Sequence, residues 1–111
     1  MAGYTTNDKL WGIVLNISEV GKIDHNAKHT QPNLVGNCGI DLRYWNTYLE
    51  NKNVDIYGVA ACIEVFNFYK ENNSVRGAIN EYKGAKDNKY ITDKVIKTKA
   101  EANKYKHLLE Q

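Results

Sequence analysis

The stretch Asp55-Ile56-Tyr57-Gly58-Val59-Ala60-Ala61-Cys62-Ile63-Glu64-Val65-Phe66-Asn67-Phe68-Tyr69-Lys70-Glu71 decides the architecture of this chain. Ile56, Val59, Ala60, Ile63, Val65, Phe66 and Phe68 put apolar side chains on nearly every side of a helix. A helix that is apolar all round must be a central one, wrapped by others. Asp55 supplies a capping side chain at its start, and Asn72-Asn73 ends it. Glu64 falls inside it, where an ionisable group needs a partner or a polar strip.

Helical spacing extends in both directions from this centre. A first helix is predicted from about Asn7 or Asp8, a capping residue, to about Val20, with Gly21 as its stop. Leu10, Ile13, Val14, Ile17 and Val20 form its expected buried face. Trp11, Leu15 and Glu19 recur at i, i+4 and i+8, so Glu19 continues an apolar stripe. Residues 21–39 read as a long irregular loop, of the kind that serves a site. A second helix is predicted over Leu42 to Glu50, with Leu42, Trp45 and Leu49 on one side. Ser74 caps a short helix to about Tyr82. A last helix runs from about Tyr90 to Leu109, with Ile91, Val95, Thr98, Ala102, Tyr105 and Leu109 as its stripe. No run of alternating β-branched residues calls for a sheet, so the expected class is all-α, a central buried helix wrapped by shorter ones.

The 111 residues, 42% hydrophobic and 25% charged, are expected to form one domain over 1–111. A net charge of +2 with mixed signs offers no stripe for nucleic acid. Lys94, Lys97, Lys99, Lys104 and Lys106 are interrupted by Asp93 and Glu101, and read as a solvated face. The apolar run Gly58 to Val65, broken by Glu64, is too short for membrane insertion. No signal peptide is visible, so delivery by another component or origin in a longer chain is expected. His25 and His29 are four apart, near Asp24 and Cys38, but lie in a loop without a second ligand pair. No metal or other cofactor is expected.

Three stretches carry chemistry in their order. Leu15-Asn16-Ile17-Ser18-Glu19-Val20-Gly21-Lys22-Ile23-Asp24-His25-Asn26-Ala27 ends an apolar helix on a glutamate. Gly36-Asn37-Cys38-Gly39-Ile40 follows, and then Ala78-Ile79-Asn80-Glu81-Tyr82-Lys83-Gly84 ahead of Tyr90-Ile91 and Val95. This order resembles the lysozyme-like domain of lytic transglycosylases, which cleave bacterial wall glycans. Their acid/base glutamate ends a helix, followed by a Gly-Leu-Met-Gln-like turn and an Ala-x-x-x-Tyr-Asn-like motif. The resemblance spans about residues 10–96.

It implies a lysozyme-like fold and Glu19 as the catalytic acid, then base, on the β-1,4 bond between N-acetylmuramic acid and N-acetylglucosamine. A carboxyl can donate a proton near neutral pH when partial burial holds it protonated. The resemblance also implies substrate contacts from Ser18, Gly39, Ile40, Asp41, Tyr82, Lys83 and Tyr90. The implied partner is the peptidoglycan glycan strand, met at the cell wall by an extracellular or phage-delivered enzyme, or by part of a phage or conjugation assembly. In the resembled fold the glycine turn packs near the helix carrying Cys62. Cys38 and Cys62 are therefore either a disulfide, contributing about 3–4 kcal/mol through loop entropy, or two buried thiols.

The chain departs from the family in three places. Ser18 precedes the glutamate instead of following it. Ile40-Asp41-Leu42 stands where the family has hydrophobic-Met-Gln, and Lys83 replaces the commoner Asn. Asp24, Asp41, Glu64 and Glu81 are the other candidates for the acid. The alternatives are a goose-type lysozyme hydrolase and a lysozyme-like binding or structural module without turnover.

Overall fold

The computed structural model describes residues 3–20, 26–29, 31–83 and 89–110. The expected stop at Gly21, together with Ile23, Asp24, His25 and Gly84, lies outside the described residues, as does the side chain of Val20. Five α-helices are described: α1 (Thr6–Val20), α2 (Leu42–Asn51), α3 (Val59–Lys70), α4 (Val75–Lys83) and α5 (Lys89–Ala102). A 3-10 segment, Asn103–Leu109, continues from α5. The protein is mostly helical.

Val59–Lys70, within the apolar stretch 55–71, form α3, and it is central. Trp11, Val14 and Leu15 of α1 pack with Phe66 of α3, Ala78 and Ile79 of α4 and Val95 of α5 in one apolar cluster. Cys38, Ile40, Leu49, Ala61, Cys62 and Val65 form a second. Helix α3 contributes to both. Its neighbours are not all shorter: α1 has 15 residues and α5 has 14, against 12 for α3. Gly12 permits the close approach of α1 to α3, because a Cβ there would stand 2.6 Å from Cγ1 of Ile63. Glu64 has the partner its position requires: the Tyr4 hydroxyl donates to Oε1 at 2.7 Å. Burial, then the bond to Glu64, push the Tyr4 phenol well above its usual 10.0.

Helix ends show where local chemistry differs from the sequence expectation. Helix α1 is capped by Thr5, not by Asn7 or Asp8. The Thr5 Oγ1 accepts from the Asp8 N–H at 3.0 Å, and Asp8 Oδ2 accepts from the Thr5 N–H at 3.4 Å. This is a reciprocal capping box, in which Asp8 is the returning acid. Asp55 does not cap α3; its side chain accepts from the Tyr57 N–H at 3.0 Å, building a turn before the helix. Gly58 occupies the cap without a side-chain bond. Ser74 does cap α4, accepting from the Gly77 N–H at 3.1 Å.

Burial also corrects the face assignments. The buried face of α1 is Leu10, Trp11, Val14 and Leu15, whereas Ile17 is 41% exposed. Thus Glu19 follows the buried Trp11–Leu15 stripe. On α5 the buried side chains are Thr92, Val95 and Lys99, not Ile91 or Thr98. The expected helix to Leu109 tightens to 3-10 after Ala102, and Tyr105 is exposed.

Lys99 is not on a solvated face. Its ammonium donates to Asn7 Oδ1 at 2.8 Å and Asn103 Oδ1 at 2.6 Å, 5.0 Å from the centroid of the Trp11 ring. Two amides and a π face replace the hydration a buried cation loses. Desolvation, then repulsion from Lys70, lower its pKa from 10.5.

The end of the loop expected over 21–39, with the two residues after it, forms a small antiparallel hairpin. β1 (Leu34–Val35) pairs with β2 (Ile40–Asp41) in the register Leu34 to Asp41 and Val35 to Ile40. Two-residue strands leave no alternating pattern to detect. None of the described helices is long and apolar enough to cross a membrane.

Candidate functional site

Glu19 ends α1 where α4 passes, and the ion pair there spans 64 residues of sequence. Lys83 Nζ lies 2.9 Å from Glu19 Oε1, with their side chains 14% and 25% exposed. The same ammonium reaches the Ser18 carbonyl at 3.3 Å and the Ser18 hydroxyl at 3.4 Å. Ser18 Oγ in turn donates to the Leu15 carbonyl at 2.8 Å. Glu19, Ser18 and Lys83 therefore form one contact group, assembled from the first and third sequence motifs.

Tyr82 stands beside this group. Its ring packs edge-on against Phe66, with centroids 6.2 Å apart, and bridges the two apolar clusters. Its hydroxyl is buried and has no hydrogen-bond partner among the described residues. Burial pushes the phenol well above 10.0, with the negative charge of Glu19 adding to the effect. An orphaned buried hydroxyl costs about 1–3 kcal/mol, so it is a group prepared to receive a partner.

The glycine turn forms the wall of a small hollow of about 220 Å³ that Tyr82 also lines. Gly36 and Gly39 take φ of 75° and 58°, the left-handed conformation that glycine accepts without strain. The His29 ring bonds the Gly36 carbonyl at 2.8 Å, and the Asn37 amide donates to the Tyr57 carbonyl at 2.9 Å. Cys38 and Cys62 form a disulfide with their Cα atoms 5.5 Å apart, tying the turn to α3. Ile40 is 3% exposed, packs in the core and also borders the hollow.

Asp41 lines the hollow, yet its carboxylate is already engaged. It caps α2, accepting from the Arg43 N–H at 3.0 Å, and receives the Arg43 guanidinium at 3.1 and 2.8 Å. The Arg43 hydrogen bond, the largest cause, holds its pKa below 3.8. Opposite, Trp45 meets Tyr69 edge-on at 5.6 Å, and Tyr44 is 73% exposed. Burial raises the Tyr69 phenol above 10.0, with Glu81 adding to it. Trp45, Tyr44 and Tyr69 are aromatic side chains lining this hollow that motif spacing does not single out.

The expected site residues thus divide between two hollows. Gly39, Ile40, Asp41 and Tyr82 surround the smaller one. Ser18, Lys83 and Tyr90 line a groove of about 440 Å³ between α1 and α5. Glu19 is paired to Lys83, which lines the groove, and acts electrostatically on Tyr82, which lines the smaller hollow. Among the described residues no three His, Cys, Asp or Glu side chains gather as a metal site would require. Asp24, another candidate acid, lies outside the described residues. No protein family, curated protein or solved structure matches this chain.

Proposed function

We propose that this protein is a lysozyme-like lytic transglycosylase acting on peptidoglycan, with Glu19 as acid and then base. One observation carries the reading. Glu19 and Ser18 from one motif meet Lys83 and Tyr82 from another, 64 residues away in the case of the ion pair. Beside them, the glycine turn and the aromatic wall give a hollow suited to an N-acetylated sugar ring.

In this chemistry Glu19 protonates the bridging oxygen, and the bond from that oxygen to C1 of the muramic residue breaks. The 6-hydroxyl of the same residue attacks C1 and returns its proton to Glu19. The product is a 1,6-anhydro ring, and the carboxyl group is regenerated. A nucleophile tethered to the substrate has a high effective concentration, so no second carboxylate is needed. That agrees with Asp41 being engaged by Arg43. Tyr82 is the candidate donor to the acetamido group, and Lys83 positions the Glu19 carboxylate.

A non-catalytic glycan-binding module is the second reading. It is favoured by the Lys83–Glu19 pair, since an acid must present a proton where an ammonium now sits. Glu19→Gln separates the two. Under the catalytic reading it lowers lysis of purified wall by at least ~10²-fold, while binding persists. Under the second reading wild-type and variant proteins bind wall alike and neither lyses it.

A further inference from the structure

Glu19 carries a restraint that its proposed role has to overcome. Lys83 places a full positive charge 2.9 Å from Glu19 Oε1, in a pair whose side chains are 14% and 25% exposed. A carboxylate held in such a pair has no proton to give, and one of its oxygens is already occupied. The contact must open before Glu19 can act on a glycosidic oxygen.

The structure supplies a second resting place for the ammonium. Lys83 Nζ also reaches the Ser18 carbonyl at 3.3 Å and the Ser18 hydroxyl at 3.4 Å. Ser18 Oγ donates its own proton to the Leu15 carbonyl at 2.8 Å, which leaves its lone pairs to accept from Lys83. A lysine ammonium carries three donors on a flexible stem, so passing from Glu19 to Ser18 requires only side-chain rotation. Among the described residues, the other titratable groups around the pair are Tyr82 of α4 and, across the groove that Lys83 lines, Tyr90 and Lys94 of α5. None of these is a carboxylate that could draw the ammonium elsewhere.

We propose that Lys83 is a gate on Glu19: it holds the carboxylate in an ion pair at neutral pH, and proton uptake by Glu19 releases the ammonium to Ser18 and arms the acid. This rests on the reading of Glu19 given above. Lys83 stays protonated throughout, and the proton that Glu19 gains from solvent is the one it delivers to the leaving oxygen. The protein is then restrained at neutral pH and released in an acidic medium.

The test measures lysis of purified wall from pH 4 to pH 8 by wild-type protein, Lys83→Met, Lys83→Gln, Lys83→Arg and Glu19→Gln. Thermal melting at each pH checks that every variant is folded, and two neutral replacements guard against a defect peculiar to one of them. Lys83→Met and Lys83→Gln should lyse about three- to tenfold faster than wild type at pH 7, the lower end of what an opposite charge in contact does to a carboxyl group, because the pair is partly exposed. At pH 4, where proton uptake opens the wild-type pair as well, the three should agree within about twofold. Lys83→Arg keeps the charge and should stay slow at pH 7. Lysis that depends on Glu19 but is slower or unchanged in both neutral variants at pH 7 overturns the gate and leaves the Glu19 reading intact. Lysis by Glu19→Gln, or by none of these proteins at any pH, overturns the Glu19 reading and the gate with it.

Discussion

Replacing Tyr82 by Phe should make the protein more stable and less active at once. The Tyr82 hydroxyl is buried without a partner among the described residues, while the ring itself packs against Phe66 and both apolar clusters. Phe keeps the ring contacts and removes the oxygen. A buried polar group without a partner costs about 1–3 kcal/mol, and the small void left behind offsets part of the gain. A net stabilisation of about 1 kcal/mol is expected, which in a domain of this size raises Tm by about 4 °C.

The pH dependence gives an independent check on the same hydroxyl. The folded phenol ionises well above 10.0 because it is buried. Above pH 10 the unfolded chain releases this proton while the folded chain retains it, so the unfolded state binds fewer protons. Stability is fully present below about pH 10 and falls as pH rises beyond it. Tyr82→Phe removes that part of the alkaline loss, and Tyr69 and Tyr4 maintain the remainder. Thermal melts at pH 7 and pH 10.5 measure both effects, and turbidity of a wall suspension measures lysis. A Tm lowered by several degrees at pH 7 would show that the hydroxyl has a partner in the folded protein. Unchanged lysis would show that it does not touch substrate.

Removing the disulfide with Cys38→Ser and Cys62→Ser should destabilise the protein by about 3–4 kcal/mol, as expected for a sequence separation of 24. Thiol titration of denatured, unreduced wild-type protein should count none, and two free thiols would contradict the bridge. Lys99→Met should change stability at pH 7 by less than about 1 kcal/mol, because the lost cation relieves desolvation while Asn7 and Asn103 lose a donor. Between the lowered pKa of Lys99 and 10.5 the unfolded wild-type chain binds more protons, so wild-type stability gains with pH from this group. Urea titrations across that window should show the gain absent in Lys99→Met, and identical profiles would refute it.

Helix α3 was legible because a run that is apolar all round has only one place in a small helical protein. The Trp11–Leu15–Glu19 spacing likewise located the glutamate at the end of a buried stripe. What stayed hidden depended on contacts distant in sequence. Lys83 and Glu19 are 64 residues apart, and no local pattern announces their pairing. Lys99 falls among exposed lysines, and only the folded chain reveals that Asn7, Asn103 and Trp11 surround it. Ile17 reads as core by periodicity, yet it borders an open groove. The hairpin at Leu34–Val35 and Ile40–Asp41 is too short for any periodicity. Asp41 also caps α2, a role that its position just before the helix and two residues ahead of Arg43 makes readable from the sequence.

Under the proposed function, Glu19 cleaves wall glycan with the substrate's own hydroxyl as nucleophile. Mass spectrometry of the fragments released from purified peptidoglycan tests it most directly. Wild-type protein should release muropeptides ending in 1,6-anhydromuramic acid, Glu19→Gln should release none, and Asp41→Asn should lose less activity than Glu19→Gln. Fragments bearing only reducing muramic ends would replace the transglycosylase with a hydrolase, and release of fragments by well-folded Glu19→Gln protein would contradict the role of Glu19 outright.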